Sequence, residues 1–191
     1  DQTWSYTLPF AFPFYGVNYT TVNVSSNGFL DFGSTSADPI NSDAGLKSNK
    51  RIAPLWDDLT TVGLGKDVYI YAPVGGPVTI RWVAWNKTQT LTRKFSVDLY
   101  ADGRIRFHYG SGNNNLTPTV GVSAGDNANY TLSAYNNATS LNNAASHQFT
   151  QMPTMPPGLT LNPAGVLSGT PTQIGSYSPT FRVTDSLNRS D

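Results

Sequence analysis

The chain contains no cysteine and no glutamate. Without a thiol, disulfides, Cys-ligated zinc and cysteine nucleophiles are excluded. All 12 acids are Asp, so a glycosidase would have to draw both of its carboxyl groups from Asp. The missing cysteine does not point to the cytosol, because an exported β-protein with an adequate core needs no covalent staple. Charge is scarce too: Asp, Lys and Arg make up 13% of the chain and sum to zero. The 12 basic residues cluster no further than the pairs Lys50-Arg51 and Arg93-Lys94, which excludes the basic stripe that nucleic acid requires. His108 and His147 are the only imidazoles and no G-x-S-x-G text is present, so nothing announces a Ser-His-Asp hydrolase and the expectation is a non-enzyme. There is no signal peptide and no membrane span, and a start at Asp1 reads as a mature or excised segment.

What is present is apolar and amide-rich. Across 191 residues, 38% hydrophobic and 12% aromatic content supplies a sizeable core. Asn, Ser and Thr take the surface role that Lys and Glu play in most cytosolic chains. The 17 Asn and 40 Ser plus Thr form Asn-x-Ser/Thr seven times, where chance gives roughly 3.6. An Asn/Thr-rich surface can produce such motifs by accident; the excess favours glycosylated export, with Asn18, Asn23, Asn86, Asn129, Asn137 and Asn188 as acceptors. Asn115 is the weakest, since Pro118 follows its Thr117. Asn23 and Asn86 are favoured as lying in or beside exposed strands.

Period-2 alternation dominates the chain, as half-buried antiparallel strands require. Val78, Ile80, Trp82 and Ala84 share one face, as do Phe95, Val97 and Leu99, and Ile105, Phe107 and Tyr109. A two-residue Asp102-Gly103 turn would set Leu99 across from Arg106. A three-residue loop, Ala101-Asp102-Gly103, pairs Leu99 with Ile105 and Val97 with Phe107 instead. By the same test Ser26-Asn27-Gly28 is a three-residue loop that pairs Val24 with Leu30. Both Gly28 and Gly103 are expected at positive φ. A further hairpin turns at Gly75-Gly76, and short strands are expected near 4–8, 52–56, 120–123 and 146–149. Residues 125–145 hold either a short helix or a long loop. The expected fold is all-β: an antiparallel β-sandwich with jelly-roll-like or Ig-like wiring over 1–150, followed by a partial Ig-like second domain over 151–191.

LPFAFPFYG, VNVSSNGFLDFG, IAPLWDDL, VYIY, VTIRWVAW and FSVDLYADGRIRFHYG followed by TVGVSAG stand in the order seen in the nidogen-like extracellular domain and the related domain of plexin-domain-containing cell-surface proteins. The resemblance covers roughly residues 8–124. It implies an extracellular matrix or surface module and carries no catalytic residues. The chain departs from those relatives in having no Cys. From 155 to 186 the text MPPGLTLNPAGVLSGTPTQIGSYSPTFRVTDS resembles part of the immunoglobulin-like repeats common in prokaryotic surface proteins. There Leu161 and Leu167 flank an Asn162-Pro163-Ala164-Gly165 turn, and a strand follows over 177–184.

Three groups are site candidates. Asp57 and Asp58, with Asp38, Asn41 and Asp43, offer the hard oxygens that Ca²⁺ takes, and equally the acceptors that cap turns. Tyr69, Tyr71, Trp85 and Tyr100 face outward, able to stack on sugar rings, form a subunit contact or be covered by other parts of the chain. Trp4, Tyr6 and Leu8 in the first strand, and Tyr177, Phe181 and Val183 in the last, are expected to carry assembly. The resulting expectation is a structural subunit of a prokaryotic, plausibly archaeal, surface filament or adhesive appendage. It is built from copies of itself, head to tail, by β-strand complementation. The alternative is a glycan- or protein-binding module of a large cell-surface adhesin.

Overall fold

In the computed structural model, residues 1–150, 158–162 and 164–172 are described. The chain divides into two units, Asp1–Phe14 with Asn18–Thr150, and Tyr15–Val17 with Gln151–Asp191. The first is built almost wholly of strands: β1 (Thr3–Phe14), β2 (Val17–Ser25), β3 (Phe29–Asp31), β4 (Lys50–Trp56), β5 (Leu59–Thr60), β6 (Asp67–Tyr71), β7 (Val78–Asn86), β8 (Thr92–Leu99), β9 (Ile105–Tyr109), β10 (Thr119–Ala124), β11 (Tyr130–Leu132) and β12 (His147–Phe149). One short helix, α1 (Asp43–Lys47), interrupts them. The first sheet runs β1-β2-β3-β4-β10-β11 and the second β12-β9-β8-β7-β5, with β6 also paired to β7. Neighbours along the chain are mostly neighbours in space, and only β10 and β12 return to an earlier sheet.

Alternation determined the faces, and the register follows it. Leu99 lies opposite Ile105 and Val97 opposite Phe107, and Val24 lies opposite Leu30. Gly28 and Gly103 sit at φ +79° and +87°. The two inner faces meet through Val24, Leu30, Ile52 and Val122 on one side and Ile80, Trp82, Phe95, Val97 and Phe107 on the other, all buried. Side chains of the second sheet also reach carbonyls of strands in the first: Trp82 Nε1 donates to the Ser25 carbonyl at 2.8 Å, and the Tyr109 hydroxyl to the Pro54 carbonyl at 2.9 Å. Each satisfies a polar tip that would be costly to bury alone.

The outer faces differ. That of the first sheet is covered: Leu46 of α1 packs on Phe29, Ala53 and Trp56. Beside them Arg51 bonds Asp31 at 3.1 Å, with side chains only 2% and 1% exposed. The Arg51 guanidinium also lies 3.9 Å from the Phe29 ring centre and 4.4 Å from that of Trp56. The cover explains why β4 is buried on both faces and reads as a nearly continuous apolar run. Among the described residues no such layer lies on the outer face of the second sheet, whose polar positions are half-buried or exposed.

Several expectations change. Residues 125–145 hold strand β11 and loops, not a helix. The α1 turn was missed because five residues are too few to show a helical period; its signal is local, Ser42 Oγ accepting the Gly45 N–H at 3.0 Å. The Trp4-to-Leu8 segment belongs to β1, hydrogen-bonded to β2 of the same chain. It is the end strand of its sheet, with β2 as its one partner strand among the described residues. Tyr177, Phe181, Val183 and Asn188 lie outside the described residues. In the second unit β13 (Leu159–Leu161) and β14 (Leu167–Gly169) form a hairpin that pairs Leu161 with Leu167. Asn162 accepts the Gly165 N–H at 2.9 Å to close the turn.

Candidate functional site

The open face of the second sheet is built by the registers of its strands. Tyr69 lies opposite Arg81 and Tyr71 opposite Thr79. Arg81 then lies opposite Ser96 and Thr79 opposite Asp98, and these lie opposite His108 and Arg106. Gln148 pairs with Arg106. Two adjacent rows thus cross the face, Tyr69-Arg81-Ser96-His108 and Tyr71-Thr79-Asp98-Arg106-Gln148. Each is headed by a tyrosine on the edge strand β6, 47% exposed for Tyr69 and 69% for Tyr71. The other two outward aromatics are covered: the Arg104 guanidinium lies 4.3 Å over the Tyr100 ring, and the Lys66 ammonium 3.9 Å over Trp85.

A hydrogen-bonded chain lies within the rows. Thr79 Oγ1 donates to Asp98 Oδ1 at 2.7 Å. Asp98 Oδ2 is 2.8 Å from His108 Nε2, and His108 Nδ1 is 2.9 Å from Ser146 Oγ. His108 stands beside Ser96; Ser146 was missed from sequence, since it precedes β12 in an irregular segment with no periodicity. Serine, histidine and aspartate in contact are the residue types of an acyl-transfer triad. The setting is different: Ser146 is exposed and stands just before β12 in an irregular segment, not on a strand-to-helix turn. The chain fastens β12 to β8 across β9.

The five oxygen donors proposed for calcium are not brought together. Asp38 accepts the Ile40 N–H, Asn41 reaches the Thr117 carbonyl, Asp43 takes the Asn136 amide and Asp58 pairs with Lys87 at 2.6 Å. Asp57 accepts the Asp58 N–H, and burial pushes its carboxyl up despite that bond and the Arg93 charge. Among the described residues no three Asp or His groups could hold a metal ion. The calcium expectation is corrected: each acid closes its own turn, cap or ion pair.

The acceptor asparagines also separate by environment. Asn18, Asn129 and Asn137 are exposed, as is Asn115 at φ +52°. Asn23 is half-buried and gives its amide to the Ser34 carbonyl at 2.9 Å. Asn86 is half-buried and organises the β7–β8 turn: its amide donates to Thr88 and Thr90 and its oxygen accepts the N–H groups of Thr90 and Leu91. None of these positions lies in the two rows.

A second feature opens between the edge strands. Trp4, Ser5, Tyr6 and Val24 face Asp67, Val68 and Ile70 across a groove of about 260 Å³. Trp4 is 41% exposed in it, so this residue singled out from sequence lies at a surface on an end strand.

A family model described as NIDO related matches residues 1–160. No curated protein and no solved structure matches the chain. The matched span takes in every strand of the first unit and reaches beyond the motifs of residues 8–124; the immunoglobulin-like resemblance expected for 155–186 is not part of what it shows. The two-sheet fold, the ordered motifs and this match agree, and the chain belongs to the NIDO-related family of extracellular β domains.

Proposed function

We propose that the protein is a non-enzymatic surface-recognition and adhesion module whose contact surface is the open face of the second sheet. One observation carries this reading. Of the two outer faces, the first is sealed by α1 over a buried ion pair, whereas the second presents exposed Tyr69 and Tyr71 with a row of hydrogen-bonding groups behind each. Exposed aromatic rings beside polar side chains suit a ligand with apolar and polar surfaces in alternation, as sugars and protein loops have. The test is adhesion of the purified protein to a glycan array and to cell-envelope preparations, with Tyr69→Ala/Tyr71→Ala beside it. Binding that survives the double substitution unchanged removes this face from the function, and absence of binding to either surface removes the recognition reading.

A filament subunit built by strand complementation is a second reading, favoured by β6. This edge strand exposes Tyr69, Ile70 and Tyr71, and between Val68 and Tyr71 it carries none of the Lys or Pro residues that usually guard an edge. In this reading β6 accepts a strand from another copy. Negative-stain microscopy separates the two: regular fibres support assembly, and monodisperse particles support recognition.

A further inference from the structure

We propose that the two tyrosine-headed rows bind an acidic polysaccharide of the polyuronate kind, with sugar rings stacked on Tyr69 and Tyr71 and carboxylates taken by Arg81 and Arg106. The inference rests on the recognition reading and adds the chemistry of the ligand.

Arg81 and Arg106 are both exposed. Among the described residues neither guanidinium has a carboxylate, hydrogen-bond or ring partner. That is unusual in this molecule, where Arg51, Arg93 and Arg104 all have partners. The acid nearest to them in register, Asp98, lies opposite Arg106 yet is turned to Thr79 and His108 instead, with only 13% of its side chain exposed. The face therefore keeps its one central anion engaged and leaves two forked cations unsatisfied. A guanidinium presents parallel N–H groups that match a carboxylate in bidentate fashion. The tyrosine rings offer faces to the C–H side of a pyranose. Ser96 and Gln148 add neutral donors and acceptors for hydroxyl groups.

Dimensions agree with an extended chain as ligand. From β6 to β12 the face spans five strands, separated by gaps of about 4.8 Å, roughly 19 Å from the first to the last. Arg81 lies one strand in from Tyr69, and Arg106 lies one strand in from Gln148 at the other side, so the charges are spread along the path. A compact anion such as phosphate would meet only one of them. An acidic peptide would supply carboxylates but not rigid rings for the tyrosines, and is the competing outcome.

The test is binding of the full chain to oligomeric polyuronate by titration calorimetry at low salt. Its controls are the same polymer with its carboxyl groups reduced to alcohols, and poly-L-glutamate. Arg81→Ala and Arg106→Ala are each expected to weaken binding about tenfold. Tyr69→Ala and Tyr71→Ala are expected to weaken it about fivefold each. Arg104→Ala, outside the rows and paired with Asp102, leaves it unchanged. All five positions lie on the surface, and circular dichroism confirms that the variants are folded. Equal affinity for poly-L-glutamate reduces the site to charge alone and overturns the proposal. Equal affinity for the reduced polymer, with the arginine variants unaffected, overturns the carboxylate assignment and leaves the recognition reading standing. If no polysaccharide binds, the proposal fails; the recognition reading fails with it only if the envelope preparations are also ignored.

Discussion

Asn27 and Gly28 show how much one hairpin tip can hold. The Ser26-Asn27-Gly28 loop is buried, which is rare for a turn. The Asn27 side chain donates to the Ala37 carbonyl at 2.6 Å and to Asp1 at 2.9 Å, and accepts the Leu59 N–H at 2.8 Å. A Cβ on Gly28, at φ +79°, would stand 2.0 Å from the Leu55 carbonyl oxygen. Gly28→Ala is therefore expected to cost about 3 kcal/mol or more, strain and overlap combined. Gly75→Ala, also at positive φ but with nothing within 4 Å, is expected to cost about 1 kcal/mol. Urea denaturation checks the pair, and equal costs would show that the tip is not held as described. Asp31→Leu strands the buried Arg51 and is expected to cost about 3–5 kcal/mol, with Asp31→Leu/Arg51→Met less damaging than the single change. Asp57 gives a pH-dependent case. Its carboxyl is raised above the ordinary 3.8, chiefly by desolvation, so the folded state holds the proton more tightly and ionisation costs stability as pH rises through 3.8 to the raised value. Asp57→Asn is expected to stabilise the protein at pH 7, and the advantage should shrink as the pH approaches and passes below 3.8. A difference in urea midpoint that does not vary with pH would contradict that sign.

The strands themselves depend on long-range pairing, yet most were readable because each one has a dry and a wet side. Val78 to Trp85 announces its faces residue by residue, and the demand that Leu99 meet Ile105 fixed a loop length that the Asp102-Gly103 dipeptide alone misassigns. The same logic failed where a strand has no wet side: β4 is dry on both faces, and its text does not tell what covers the second one. The cover is α1 with the chain around it, set by caps and packing that leave no period. Tyr69 and Tyr71 were readable as outward; that Arg81 and Arg106 lie in the same rows without partners was not, because β6, β9 and β12 are aligned only by the completed sheet. The Ser146 contact belongs to this class of unreadable features, and it makes a prediction for one element. If His108 fastens β12 to β8, His108→Ala is expected to raise amide exchange across 146–149 by about tenfold while β7 and β8 exchange as before. Uniform change across the sheet would assign His108 to global stability instead.

Across the whole first unit, what distinguishes one surface from another is which chemistry each leaves uncovered. The described Asn-x-Ser/Thr positions fall on β2, on the β7–β8 and β9–β10 connections, and around β11, and none enters the two rows on the second sheet. If the protein is exported through a glycosylating route, sugars would sheathe the rest of the surface and leave the tyrosine-headed face bare, as a contact surface requires. Occupancy should follow access to the side-chain amide. Asn18 and Asn137 are exposed and are expected to carry glycan; Asn129 is exposed as well, but its amide donates to Asp126 at 2.6 Å, and it is expected to rank below them. Asn23 and Asn86, favoured from sequence as beside exposed strands, use their amides inside the fold and are expected to be occupied less. Attachment that precedes folding would erase this ranking, because the amides are then still free. Intact mass before and after deglycosylation, followed by peptide mapping, measures both statements. A mass equal to the bare 20.6 kDa chain removes the case for glycosylated export; occupancy highest at Asn23 and Asn86 shows that the sugars are added before β2 and the β7–β8 turn have formed.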